Sequence, residues 1–220
     1  IRELYLHSSL YDNKISKIYY QNLIYKPSPH LLSSLIKYQK KKFRIEDFAL
    51  NEIWNNKEIT KKNLRKLNNF YWLFSLDLKS SNKSVQTVIQ KWMQKNYKYN
   101  SKNWNFEITS KRIISWLSNT ALTYDGGGAQ YQKDFSLILH KQTLHLINQI
   151  DEEKKLNDKV RGAAAIILVG LSYKNEKNFT LKGLENLKRV IRYTVDSNGF
   201  PKSRNIKSSV FFLKYLILIR

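Results

Sequence analysis

Cysteine is absent from all 220 residues, which removes both a disulfide framework and any thiolate metal site. Histidine is nearly as scarce. His7, His30, His140 and His145 form no HExxH pair, so neither a metal centre nor a cofactor is expected. His140 and His145 stand five apart on an expected helix, share no face well, and read as surface or partly packed side chains. The one glycine run, Asp125-Gly126-Gly127-Gly128, lacks the Gly-Lys-Ser/Thr continuation of a phosphate loop and reads as a connector between helices. Long apolar runs are missing too: Ala163 to Leu171 is too short to span a bilayer, and Val210 to Ile219 is interrupted by Lys214. No signal peptide pattern is visible. The chain opens on Ile1 and stops at Leu218-Ile219-Arg220 inside an apolar helical pattern, the ends expected of a piece of a longer protein.

Acidic residues are also in short supply, 17 against 39 Lys and Arg, for a formal net charge of +22. That imbalance suits a polyanionic partner: nucleic acid, an anionic membrane surface or an acidic polysaccharide. Most of the cations are Lys in a Lys-, Asn- and Ile-rich vocabulary, and solvated surface charge accounts for them equally well. Arginine, whose planar fork suits carboxylate and sulfate, is scarce, so each Arg carries more information than each Lys. No helix-turn-helix or zinc motif supports nucleic acid as the partner.

What is present is helical periodicity. Val85, Val88, Ile89, Trp92 and Met93 form one apolar stripe after Ser84; Ile113, Trp116 and Leu117 repeat the pattern after a cap at Ser110, and Leu184, Leu187 and Ile191 after a cap at Thr180. Ser28-Pro29 has the order of a helix start, cap then proline. The strongest element runs from Asn157, a capping residue, through Asp158 in the first turn to Tyr173. It is apolar on every face, so Ala163 to Leu171 is expected in the interior, with Asn157 and Asp158 at its mouth, where a ligand could reach them and Asp158 is a candidate substrate contact. With 42% hydrophobic residues the chain can build a core. The expectation is a single all-α domain over 1–220, with eight to ten helices in hairpins; periodicity alone does not separate a bundle, a solenoid and a closed α/α toroid.

Three ordered segments resemble the N-terminal helical domain of the heparinase II/III-like polysaccharide lyases. Trp104 to Trp116 is similar to the family's Trp-Asp-Pro segment followed by Ser-x-Arg-Ile and a Trp. Asn157 to Tyr173 resembles the helix that begins Asn-His. Asn198 to Ile206 resembles a loop of the form Asp-Gly-Gly-His followed by Arg-Ser-Pro, and Phe70 to Phe74 extends the likeness upstream. The resemblance covers about half the chain. It implies an incomplete α/α toroid, best matched over 81–220 with 1–80 as a helical lead-in, preceding a β-sandwich domain outside this sequence. It further implies β-elimination on a uronic-acid polysaccharide such as a glycosaminoglycan or alginate, in the periplasm or cell envelope, with this stretch inactive alone.

In that chemistry the proton leaves a carbon next to a carboxylate, so donors must neutralise the carboxylate while a base and an acid move protons. By resemblance Asn157 takes the neutralising role. The pattern departs at Asp158, where the family has His, and at Ser208-Ser209, where it has Tyr-His, which leaves binding without cleavage as the alternative. Arg204 is a candidate carboxylate or sulfate clamp at the start of a helix, facing one cleft with Asn157, and equally a capping residue. Arg112 is a candidate for substrate contact or for stacking on an aromatic ring. Trp104, Trp116 and Trp72 are candidate sugar platforms or core, and Tyr173 and Tyr193 are possible phenolic acids.

Overall fold

A computed structural model describes residues 1–16, 22–27, 60–76 and 80–220. The described residues are all-α: α1 (Arg2–Leu6), α2 (Ser9–Ile15), α3 (Lys61–Asn68), a 3-10 turn (Tyr71–Ser75), α4 (Asn82–Lys95), α5 (Phe106–Ser118), α6 (Thr120–Thr123), α7 (Ala129–Gln149), α8 (Leu156–Ser172), α9 (Lys177–Thr194) and α10 (Ile206–Leu218). The helix expected at Ser28-Pro29 lies outside the described residues. Asp125 to Gly128 connects α6 to α7.

Helix α8 is the central element and packs against α5, α7, α9 and α10. Every residue from Val160 to Gly170 is buried, as its small and apolar composition requires. The buried run stops one residue short of the expected end, because Leu171 is 38% exposed. Glycines set the closest approaches. A Cβ on Gly170 would lie 2.5 Å from the backbone nitrogen of Thr180, and one on Gly183 3.0 Å from the carbonyl oxygen of Ala163, so α8 and α9 touch almost backbone to backbone.

Several helix starts differ from expectation. Asn157 does not cap α8: the N-cap is Lys155, whose N–H donates to the Glu153 side chain, and Asn157 lies in the first turn. Asn105, not Ser110, caps α5, accepting from the Glu107 N–H at 3.2 Å; Ser110 is buried mid-helix and its hydroxyl donates to the Phe106 carbonyl. Thr180 lies inside α9, whose N-cap is Glu176. In α5 and α9 the turn upstream of the anticipated cap already buries apolar groups, Phe106 and Ile108 in the one and Phe179 in the other, and that burial outweighs a cap worth about 1 kcal/mol.

Two α7 histidines are core rather than surface. His140 stacks near Tyr173 with ring centroids 4.3 Å apart and faces Glu176 at 3.2 Å; His145 is bonded to Tyr11 and to the Trp104 carbonyl.

Candidate functional site

The first turns of α8 and α10 open onto a shared cavity of about 280 Å³. Asn157 and Ser208 enter it from the two helix starts, Tyr193 and Thr194 from the end of α9, and Lys202 and Ser203 from the intervening loop. A second cavity of about 260 Å³, bordered by Lys159, Asn186 and Arg189, shares Leu156 and Tyr193 with the first. Tyr193 is 72% exposed and stands between the two. The Asn157 side chain has no hydrogen-bond partner among the described residues, so both its amide hydrogens are free to donate.

The loop that closes this cavity is held by local bonds. The Asp196 carboxylate accepts from the N–H groups of Asn198 and Phe200, both at 3.0 Å, and an isolated bridge joins Val195 to Pro201. The Phe200 N–H above all, with Asn198 and Arg204, holds the Asp196 carboxyl below its ordinary range. Arg204 does not begin a helix. It has a left-handed backbone at φ 54°, α10 starts at Ile206 behind an Asn205 cap, and the Arg204 guanidinium pairs with Asp196 at 2.7 Å. The loop residues that join Asn157 in the cavity are therefore Lys202 and Ser203, not Arg204.

Asp158, offered above as a substrate contact, is buried and bonded to Arg161 on the next turn. Arg161 is the centre of a cluster that local sequence reading missed. Its Nε donates to the Tyr215 hydroxyl at 2.9 Å, Tyr215 and Tyr71 share a hydrogen bond at 3.3 Å, and the guanidinium lies 5.2 Å from the Phe211 ring centroid. Burial and the neighbouring Tyr215 push the Tyr71 phenol well above its usual range. Burial alone would favour neutral Arg161; Tyr215, Tyr71 and Asp158 together hold it charged. Beside it, burial would raise the Glu107 carboxyl, but Lys111, Arg161 and Arg65 override this and lower it. The one local signal was the i, i+3 spacing of Asp158 and Arg161. Tyr71 and Tyr215 reach the cluster from positions 144 residues apart.

Arg112, a candidate for substrate contact, is enclosed in the core. It donates to Gln142 Oε1 at 2.9 Å and to the carbonyls of Asn68 and Asn103 at 2.8 and 3.0 Å, and its guanidinium lies 4.0 Å from the Trp92 ring centroid. Burial lowers its pKa well below the ordinary value. Trp104 and Trp116 are fully buried and Trp72 nearly so, which leaves none of them as a sugar platform; Trp104 Nε1 donates to the Asn96 carbonyl at 3.0 Å. Tyr173 is likewise buried, its hydroxyl donating to Ser136 Oγ at 3.2 Å. Tyr193 alone of the candidate aromatics faces a cavity at the head of α8.

The first cavity is thus bordered by groups able to donate to an anion: the Asn157 amide, the Tyr193 phenol, the Ser203 and Ser208 hydroxyls and Lys202. No histidine lines either cavity among the described residues. Likewise, no group of histidines and carboxylates among the described residues is placed to hold a metal ion, and no described helix is long and apolar enough to cross a membrane. No protein-family description, curated protein or solved structure matches the chain.

Proposed function

We propose that this chain is the helical part of a heparinase II/III-like polysaccharide lyase and that it holds a uronate polymer at the head of α8. The observation that carries the reading is Asn157, unpartnered and open to a cavity that Lys202 and Tyr193 also line. In this role the Asn157 amide donates to the uronate carboxylate, lowering the cost of charge developing beside it, and Lys202 supplies the counter-charge. Tyr193 offers its ring face to a sugar and its hydroxyl as a donor. The incomplete toroid, the accompanying β-sandwich and the cell-envelope setting belong to this same proposal.

A second reading, anionic-glycan binding without elimination, is favoured by Asp158. By the resemblance it takes the place of the family histidine, it is bonded to Arg161, and no histidine among the described residues lines the adjoining cavity to accept a proton.

Calorimetric titration with alginate, a neutral glucan and duplex DNA at physiological ionic strength, where diffuse charge is screened over about 8 Å, tests binding. Uronate should bind best, and Asn157→Ala should weaken it roughly tenfold or more, the worth of a hydrogen bond to a charged group. Appearance of the ultraviolet-absorbing unsaturated uronate, assayed on the full-length protein because this stretch is expected to be inactive alone, separates the two readings. Equal affinity for DNA and alginate, lost together as salt rises, would refute both.

A further inference from the structure

We propose that α1 and α2 form an acid-released strap on α7. Three residues of α7 spaced four apart, Lys141, His145 and Gln149, occupy one stripe of that helix. Each holds a different residue of the strap. Asp12 faces Lys141 at 2.7 Å, the Tyr11 hydroxyl meets His145 Nδ1 at 2.7 Å, and Arg2 donates to Gln149 Oε1 at 2.7 Å. Arg2 also pairs with Glu152 at 2.6 Å, just beyond the end of α7. Tyr11 and Ile15 are the apolar anchors, both fully buried, while Leu4 and Leu10 on the opposite faces are exposed. With five and seven residues, α1 and α2 are too short to persist unaided, so their order depends on this docking.

The central contact sets the tautomer of the neutral His145 ring. Its Nε2 lies 3.0 Å from the Trp104 carbonyl oxygen, which only accepts, so Nε2 carries the hydrogen and Nδ1 accepts from Tyr11. A second proton, on Nδ1, would reverse the Tyr11 bond and leave a buried cation that no free carboxylate faces among the described residues. The surroundings oppose a second proton. Arg2 of α1 and Arg112 of α5 both act against a charged ring, and Tyr97 and Tyr99 of the loop after α4 supply no negative charge nearby. The carboxylates in the neighbourhood are engaged: Asp12 with Lys141, Glu152 with Arg2, Glu153 with the Lys155 N–H, and Glu3 near His7 and Tyr99. Lys141 is itself in the core, its cation 4.0 Å from the Tyr97 ring centroid, and burial lowers its pKa despite Asp12.

Burial above all pushes the docked imidazole down to about 4 from its ordinary 6.5. Once the strap lifts and water reaches the ring, the pKa returns toward the ordinary value. The lifted form therefore binds more protons between those two limits, and acid draws the equilibrium toward it, by roughly 20-fold at pH 5 relative to neutral pH. Lifting widens the cavity of about 480 Å³ that His145, Tyr99 and Leu6 line.

Amide hydrogen exchange on the whole chain tests this, with rates corrected for the intrinsic effect of pH. Protection over residues 2–15 should fall roughly 20-fold from pH 7 to pH 5 while α8 keeps its protection. His145→Gln, which can still accept from Tyr11 and donate to Trp104, should keep the strap protected at both pH values. If that variant does not fold, imidazole NMR of the unaltered chain decides: His145 should titrate below its ordinary range, in step with loss of strap protection. Titration at the ordinary value with the strap still protected, protection that is independent of pH, or a parallel fall in α8 would each overturn the proposal.

Discussion

Replacing Arg112 by Met discriminates a structural guanidinium from a substrate-binding one. The methionine approximates the stem and leaves the Gln142 side-chain oxygen and the carbonyls of Asn68 and Asn103 without their donor. Each buried acceptor so stranded costs about 1–3 kcal/mol. Against this, a buried cation that draws no carboxylate partner among the described residues is removed, which returns part of its desolvation cost. The stranded acceptors outnumber that single gain, and breaking one side of a buried charged network costs about 3–5 kcal/mol. For a domain of this size the thermal midpoint should fall by about 2–4 °C per kcal/mol, or roughly 6–20 °C in all. Circular dichroism on heating measures this, and alginate titration well below the melt should show unchanged affinity. A variant melting within about 2 °C of the parent, or one that folds normally and binds alginate more weakly, would refute the structural assignment.

Gly170→Ala should lower stability by about 1–3 kcal/mol in denaturant titration: alanine gains about 1 kcal/mol of helix propensity, but the Thr180 backbone 2.5 Å away cannot yield as a side chain would. Ala164→Asp should abolish cooperative unfolding, since Ala164 is fully buried and a carboxylate there would overfill the site and lose its water; an unaltered melting curve would put α8 at the periphery. Tyr193→Ala should weaken alginate binding by about 1 kcal/mol or more, roughly fivefold, with the melting temperature unmoved because the side chain is exposed. Ser208→Ala, at the same cavity, should leave any elimination rate nearly intact, as no base stands beside that hydroxyl in sequence.

The helices were legible because their signals are local. The stripe from Val85 to Met93 is the buried face of α4, and the unbroken small and apolar run after Asp158 is the centre of the molecule. What was not legible depends on distant partners. Periodicity marks an inward face by its apolar residues, yet α7 also buries Ser136, His140, Lys141, Gln142, Thr143 and His145. Those groups are tolerated inside because Tyr11, Asp12, Arg112 and Glu176 arrive from elsewhere in the chain to meet them. Arg112 illustrates the same gap: an Arg beside a Trp on one helix gave two readings, and the choice was made by carbonyls 44 and 9 residues away. At the site, Asn157 and Tyr193 were named separately, and only the turn of the chain between α9 and α10 brings them to one cavity.

The short Tyr173 to Glu176 link between α8 and α9 has a kinetic consequence. Closing so small a loop costs little chain entropy, and the glycine contacts then reward it at once with near-backbone packing. This hairpin is the natural nucleus, whereas the strap must find α7 across more than 130 residues and docks late. Chevron analysis should accordingly find substitutions at Gly183 slowing folding, and substitutions at Tyr11 mainly quickening unfolding. The lifetime of the folded chain, rather than its speed of formation, is then what its first fifteen residues govern.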